Sequence, residues 1–314
     1  MTKKIATREA YGKVLVDLGK QNEDIVVLDA DLSKSTKTSS FGKVFPNRFF
    51  NMGISEQNLM GTAAGLAASG KIPFASTFAM FATGRAFEII RNSICYPKLN
   101  VKVCATHAGI TVGEDGASHQ ALEDIACMRA IPNMTVINPA DAISAEALIY
   151  AASEYKGPVY IRLGRAKVPV IYNKEDYEFE IGKGIEVKEG QDVTIIATGI
   201  MVDKALKARE DLLKEGISAR VIDIHTIKPI DKDIIIKATK ETKAIVTVEE
   251  HNILGGLGSA VAEVVVENSP VPMKMIGIND TFGESGKPDQ LLEKYGLTSE
   301  NIFNKVKELL NKLK

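Results

Sequence analysis

Residues 101–163 read VKVCATHAGITVGEDGASHQALEDIACMRAIPNMTVINPADAISAEALIYAASEYKGPVYIRL. Short apolar runs near Val101–Thr106, Met134–Asn138 and Val159–Leu163 alternate with segments of helical length, Ala121–Ala130 and Ala140–Glu154. That alternation predicts a mainly parallel sheet flanked by helices, the α/β class. The run His107–His119 (HAGITVGEDGASH) is different: Gly109, Gly113 and Gly116 break any regular element, so it reads as a loop following a strand.

The same rhythm extends toward the N-terminus. Thr7 is placed to cap a helix whose Tyr11, Val14, Leu15 and Leu18 share one face, with Gly19 ending it. A strand Ile25–Ala30 leads into Asp31–Ser40, a Ser/Thr-rich stretch that reads as a loop at a strand's carboxyl end, where open α/β sheets bind ligands. After the run Phe49–Asn51, Ser55 caps a predicted helix Glu56–Ser69. A strand near Lys71–Ser76 and a helix near Ala82–Ile94 complete this half. Residues 165–192, with prolines, charges and paired glycines, read as a connection. Beyond them strands near Val193–Ala197, Ala219–Ile224, Ala244–Glu249 and Met275–Ile278 alternate with four helical segments. Two α/β domains follow, at 1–168 and 191–314 with a linker at 169–190, which also suits a chain of 314 residues.

Composition excludes several classes of function. With 39 basic and 40 acidic residues the net charge is −1, so no general electrostatic pull toward nucleic acid or an anionic membrane exists. No apolar run reaches the ~18 residues of a membrane span. The three cysteines, Cys95, Cys104 and Cys127, lack Cys-x-x-Cys spacing, and the four histidines lack ligand spacing. Free thiols and a polar, non-signal N-terminus place the chain in the cytoplasm, with no metal site of its own.

Chemistry concentrates in the His107–His119 loop, where His107, Glu114, Asp115 and His119 lie close in sequence. Histidine and carboxylate on a loop can exchange protons or bind hydroxyls, although solvated charges on a turn look the same in sequence. Glu56 opens a helix, where an acid ordinarily just complements the helix dipole. Phe78 and Phe81 have spacing that serves either core packing or stacking on a flat ring. Arg8, Ser35 and Arg165 are isolated and read as surface residues, and Gly255–Gly258 reads as a turn permitting close helix packing rather than a dinucleotide fingerprint.

Three segments resemble the transketolase family: NMGISEQNLMGTAAGLAASG (51–70), STFAMFATGRAFEIIR (76–91) and ATHAGITVGEDGASHQALEDIACMRAIPNMTVINPAD (105–141). The resemblance runs from about Arg8 through the second domain. It implies a pyrimidine-binding domain of the thiamine diphosphate fold followed by the transketolase C-terminal domain. Glu56 then matches the glutamate that hydrogen-bonds the cofactor's aminopyrimidine. Sharing a proton with the ring nitrogen favours the imino form, whose exocyclic nitrogen is basic enough to act. Phe78 and Phe81 match aromatics packed on the pyrimidine, and Asp31 matches an acid near that pocket at the subunit contact. His107, Asp115 and His119 match residues touching the donor sugar, while Arg8, Ser35 and Arg165 match positions holding its phosphate. Glu56, His107 and His119 form the implied catalytic set. The segment TFAMFATGRAF is one residue longer than in many members, so Gly84 and Arg85 are left outside the cofactor set.

Full-length members carry a Gly-Asp-Gly segment that holds magnesium and the diphosphate; none occurs here. The resemblance therefore implies a partner, the transketolase N-terminal subunit, that holds Mg2+ and completes a heterotetramer acting on sugar phosphates in the pentose phosphate pathway. Deoxyxylulose phosphate synthase has a similar loop but typically no histidine like His107. The beta subunit of a 2-oxoacid dehydrogenase generally lacks a Gly-Glu-Asp-Gly string like residues 113–116. A non-catalytic regulatory subunit would be expected to have lost one of Glu56, Phe78, Phe81, His107, Asp115 and His119.

Overall fold

The computed structural model describes residues 3–313, so Met1, Thr2 and Lys314, the outermost residues of the expected domain ranges, lie outside the described residues. The strands are β1 (Lys4–Ile5), β2 (Ile25–Asp29), β3 (Phe49–Asn51), β4 (Ile72–Phe78), β5 (Lys102–Thr106), β6 (Thr135–Ile137), β7 (Val159–Arg162), β8 (Val168–Pro169), β9 (Ile185–Lys188), β10 (Val193–Ala197), β11 (Ala219–Asp223), β12 (Thr226–Lys228), β13 (Ile245–Asn252) and β14 (Met273–Ile278). A seven-stranded sheet has the order β12-β6-β7-β5-β4-β2-β3, and a five-stranded sheet the order β14-β13-β10-β11-β9. In these two sheets pairing is parallel except at the edge strands β12 and β9, and β1 pairs antiparallel with β8 in a separate two-stranded sheet. The chain is thus α/β with mainly parallel sheets flanked by helices.

Why the central strands read as unbroken apolar runs is visible in their burial. Along β2, Ile25 and Val27 enter one hydrophobic cluster, and Val26 and Leu28 enter the other. Phe74 and Ala75 of β4 divide the same way. Successive side chains point to opposite faces, and here both faces are covered by helices. Helix Thr7–Gln21 covers one face with Tyr11, Val14, Leu15 and Leu18, and helix Glu56–Ala68 covers the other with Leu59, Met60 and Ala63.

Several local expectations change. Helix Thr7–Gln21 runs two residues past Gly19, and the connection 165–192 contains β8 and β9. Thr7 lies inside its helix, and its Oγ1 accepts from Gly164 N at 2.8 Å, tying that helix to the carboxyl end of β7. Ser55 precedes the next helix without a side-chain cap bond, its backbone at φ −152° and ψ 71°. Residues 31–40 are not an open loop. Asp29, fully buried, accepts from Thr36 Oγ1 (2.6 Å), Thr38 Oγ1 (2.8 Å) and Leu32 N (2.6 Å), which winds Ser33–Thr36 and Ser39–Val44 into short helices. The expected helix 82–94 is instead π-helical at Phe81–Arg85 and Ile90–Cys95. A π turn takes up one extra residue without breaking the helix.

The two sheets meet closely. β12 pairs antiparallel with β6, lending the first sheet an edge from the second half of the chain. Arg162 of β7 is buried, bonded through Nε (2.7 Å) and Nη2 (3.1 Å) to Asp124, and through Nη2 (3.0 Å) to the Glu250 carbonyl of β13. Glu249 accepts from Leu257 N and Gly258 N at 2.7 and 2.8 Å, so the glycine run 255–258 packs a helix onto β13. Cys95 and Cys104 are buried, which pushes both thiols up to about 12. Among the described residues, no helix is long and apolar enough to cross a membrane.

Candidate functional site

Four neighbouring strands, β2, β4, β5 and β7, end on one edge of the first sheet, and the residues following them converge there. Phe78 ends β4, and His107 follows β5 in a left-handed conformation (φ 58°) that turns its ring back over the strand end. The two rings stack with centroids 3.8 Å apart and 24° between planes. Phe81 lies 6.1 Å from Phe78 at 17°, and His119 meets the Phe81 ring edge-on at 5.3 Å. Strand and loop thus build one aromatic wall from Phe78, Phe81, His107 and His119.

His107 Nδ1 lies 2.9 Å from Thr106 Oγ1, and Arg8 Nη1 lies 3.4 Å from its Nε2. Arg8 can only donate, so Nε2 accepts and Nδ1 carries the hydrogen. Burial, then the charges of Arg8 and Arg165, hold the imidazole down at about 3. It is neutral at any physiological pH. Arg8 Nη1 also donates to the Ser35 carbonyl at 2.7 Å, while Arg8 Nε is buried with no partner among the described residues. A buried guanidinium nitrogen of this kind suits an anionic ligand. Ser35 therefore meets Arg8 through its backbone. Arg165 is already engaged, donating to Val112 O (2.7 Å) and Glu114 Oε2 (3.0 Å).

Glu56 is only 1% exposed although it opens a helix. Its Oε2 accepts from Arg85 Nη1 at 2.6 Å, and Thr77 Oγ1 approaches its Oε1 at 3.4 Å. The Arg85 guanidinium lies 4.7 Å over the Phe81 ring, which fixes both partners. Arg85 is the residue that sequence reasoning left out. It ends the π turn Phe81–Arg85, which brings it to face Glu56. Asp31 (φ 65°) is exposed and exchanges two bonds with Asn51, its N donating at 3.1 Å and its Oδ1 accepting at 2.9 Å. Asp115 is exposed on the turn Ile110–Asp115, and His119 Nδ1 lies 3.0 Å from Ser118 Oγ.

The donor set fits the pyrimidine end of a thiamine cofactor: two phenyl faces, and a buried carboxyl group whose Oε1 has only a long contact. Among the described residues there is no group of three or more His, Cys, Asp or Glu side chains able to hold a metal ion.

Residues 3–170 match the family model of the transketolase pyrimidine binding domain, and residues 182–302 that of the transketolase C-terminal domain. The chain belongs to the transketolase family. Within that family it matches C-terminal sections over nearly their whole length, and whole enzymes, such as human transketolase at 39% identity, over 98% of this chain but only half of theirs. A transketolase C-terminal section of Methanocaldococcus jannaschii is 58% identical, covering 97% of this chain and 96% of that protein. A 6-deoxy-6-sulfo-D-fructose transketolase subunit of a Clostridium species is 42% identical over 96% of this chain and 94% of its own length. A solved chain described as a split gene transketolase, an inactive beta4 tetramer, superposes with a TM-score of 0.92 at 62% identity, covering 98% of this chain and 99% of that one.

Proposed function

We propose that this chain is the C-terminal subunit of a two-chain transketolase, transferring a two-carbon ketol unit from a ketose phosphate to an aldose phosphate together with an N-terminal subunit. The observation that carries the reading is the pairing of buried Glu56 with the Phe78–Phe81 wall at the carboxyl edge of a matched pyrimidine-binding domain. Bound thiamine diphosphate would supply the carbon nucleophile that breaks and remakes the bond beside the ketose carbonyl. Glu56 would hold the pyrimidine through its ring nitrogen and share a proton there at Oε1, while Phe78 and Phe81 cover the ring and exclude water. His107, kept neutral, would offer a hydrogen-bonding nitrogen to the sugar without changing charge, with His119 and Asp115 on the same loop. Arg8, Arg165 and the Ser35 segment would receive the terminal phosphate. Asp31 would line the pocket beside the subunit contact.

The reading assigns Mg2+ and the diphosphate to the partner, in a heterotetramer of two chains of each kind working in the cytoplasmic pentose phosphate pathway. The description of a 62% identical chain as an inactive tetramer of itself supports the need for a second subunit. Residues 1–168 and 191–314 would act as the two functional domains, joined by 169–190. The test mixes the chain with its N-terminal partner, thiamine diphosphate and magnesium, and offers xylulose 5-phosphate with ribose 5-phosphate. Formation of sedoheptulose 7-phosphate only when both subunits are present is the expected result. Activity of this chain alone, or turnover of pyruvate instead, would overturn it.

A further inference from the structure

The loop bearing His107, Asp115 and His119 is gripped from the other sheet. Glu250, near the carboxyl end of β13 and 4% exposed, accepts from Thr111 N through Oε1 at 2.7 Å. Its own carbonyl is held by Arg162, which the buried Asp124 fixes in turn. Further along, Gln120 Nε2 donates to the Glu284 carbonyl at 2.9 Å, and Ser285 Oγ donates to the Glu114 carbonyl at 2.7 Å. The middle of the loop and the residue just beyond its end are therefore both tied to the second half of the chain. A segment with glycines at 109, 113 and 116 has little preference of its own, so these ties select its conformation.

We propose that Glu250 is a positioning residue for ketol transfer: acting through the Thr111 amide, it sets the geometry in which the loop presents His107, Asp115 and His119 to the sugar. It touches neither sugar nor cofactor. This deepens the function proposed above and rests on it. Because Glu56, Phe78 and Phe81 lie on other segments, loss of the Glu250 bond should weaken sugar recognition while sparing cofactor affinity.

The test uses the assembled two-subunit enzyme with thiamine diphosphate and magnesium, comparing Glu250→Ala, Glu250→Gln and Glu250→Asp. Glu250→Ala is expected to raise KM for the ketose phosphate about tenfold or more, since the buried acceptor of the Thr111 amide is lost, with the cofactor Kd changed less than about twofold. Glu250→Gln keeps a carbonyl acceptor for Thr111 N and should restore KM to within about threefold of wild type. Amides of residues 108–116 should exchange faster in Glu250→Ala, with those of β5 unchanged. An unaltered KM and exchange rate in Glu250→Ala, or equal impairment in Glu250→Gln, would overturn the proposal. Should Glu250→Ala fail to fold, Glu250→Asp, which withdraws the carboxylate from Thr111 N by one methylene, decides: a raised KM with unchanged cofactor Kd supports it, and an unchanged KM refutes it. If the wild-type pair transfers no ketol unit, the functional reading fails, and the exchange measurement still reads the clamp.

Discussion

Arg85 Nη1 stands 2.6 Å from Glu56 Oε2, joining a half-exposed guanidinium to a carboxylate that is 1% exposed. The pair exists because the chain after β4 runs through a π turn, which carries Arg85 over the Phe81 ring and onto the first turn of helix Glu56–Ala68. A carboxylate so buried needs a partner, and the sequence supplies it 29 residues away.

Removing Arg85 should therefore cost more than an ordinary surface pair. Arg85→Ala is expected to destabilise the chain by about 1–2 kcal/mol, the cost of a buried acceptor left unpaired, tempered by the exposure of the guanidinium. Combining it with Glu56→Gln should recover part of the loss. Urea unfolding of the four chains of this double-mutant cycle would show it, and additive effects would mean that the two side chains do not interact.

The two arginines beside His107 should not be equivalent. Arg8 keeps a buried Nε without a partner among the described residues, whereas Arg165 Nη1 is already bonded to Val112 O and to the Glu114 carboxylate, which offsets its charge. In the assembled enzyme, Arg8→Ala should raise KM for phosphorylated donors by about tenfold or more, and Arg165→Ala by less. Neither should alter KM for unphosphorylated sugars comparably. Steady-state kinetics on matched sugar pairs checks this, and equal losses on both sugar classes would remove the arginines from phosphate binding.

The buried imidazole of His107 makes acid stability predictable in sign. Its folded value of about 3 lies below the ordinary 6.5. As pH falls from about 6.5 toward 3, the unfolded chain takes up a proton that the native ring refuses, so stability is lost with acid, by at most about 1.4 kcal/mol per pH unit. His107→Asn should flatten that portion of the curve of unfolding free energy against pH. A His107 proton resonance titrating near 6.5 in the native protein would contradict the structure.

Gly109 and Gly116 both have positive φ, +82° and +76°, but differ in surroundings. A Cβ at Gly109 would lie 2.3 Å from the Glu250 carboxyl carbon, whereas at Gly116 the nearest atom is 3.6 Å away. Gly109→Ala should cost about 2–4 kcal/mol, strain and collision together, against about 1–2 kcal/mol for Gly116→Ala, from strain alone. Thermal unfolding of the two variants gives the comparison.

Much of the fold was legible because β2, β4, β5 and β7 are covered on both faces, and a strand buried on both faces is predominantly apolar, with polar residues such as Asp29 and Arg162 at the carboxyl end. The stretch His107–His119 was legible as irregular for the opposite reason, its glycines and charges fitting no strand or α-helix, although Ile110–Asp115 forms a kinked 3-10 turn. The stretch after Asp31 was misread as open because its order comes from Asp29, whose side chain gathers Thr36, Thr38 and the Leu32 amide. Glu56 gave an ambiguous signal, since an acid in a first helical turn satisfies the dipole whether or not it is buried.

By itself the sequence determined the alternation of strands and helices, the family resemblance and the residue types available at the carboxyl edge of the first sheet. Those are properties of local pattern and short motif, which neighbouring residues carry. Only the tertiary structure decided that Arg85 meets Glu56, that Arg165 is bound to the His107–His119 loop, and that Glu250 reaches from the second sheet to Thr111. Each depends on where two distant backbones come within hydrogen-bond range, and that is set by how the sheets and helices pack together.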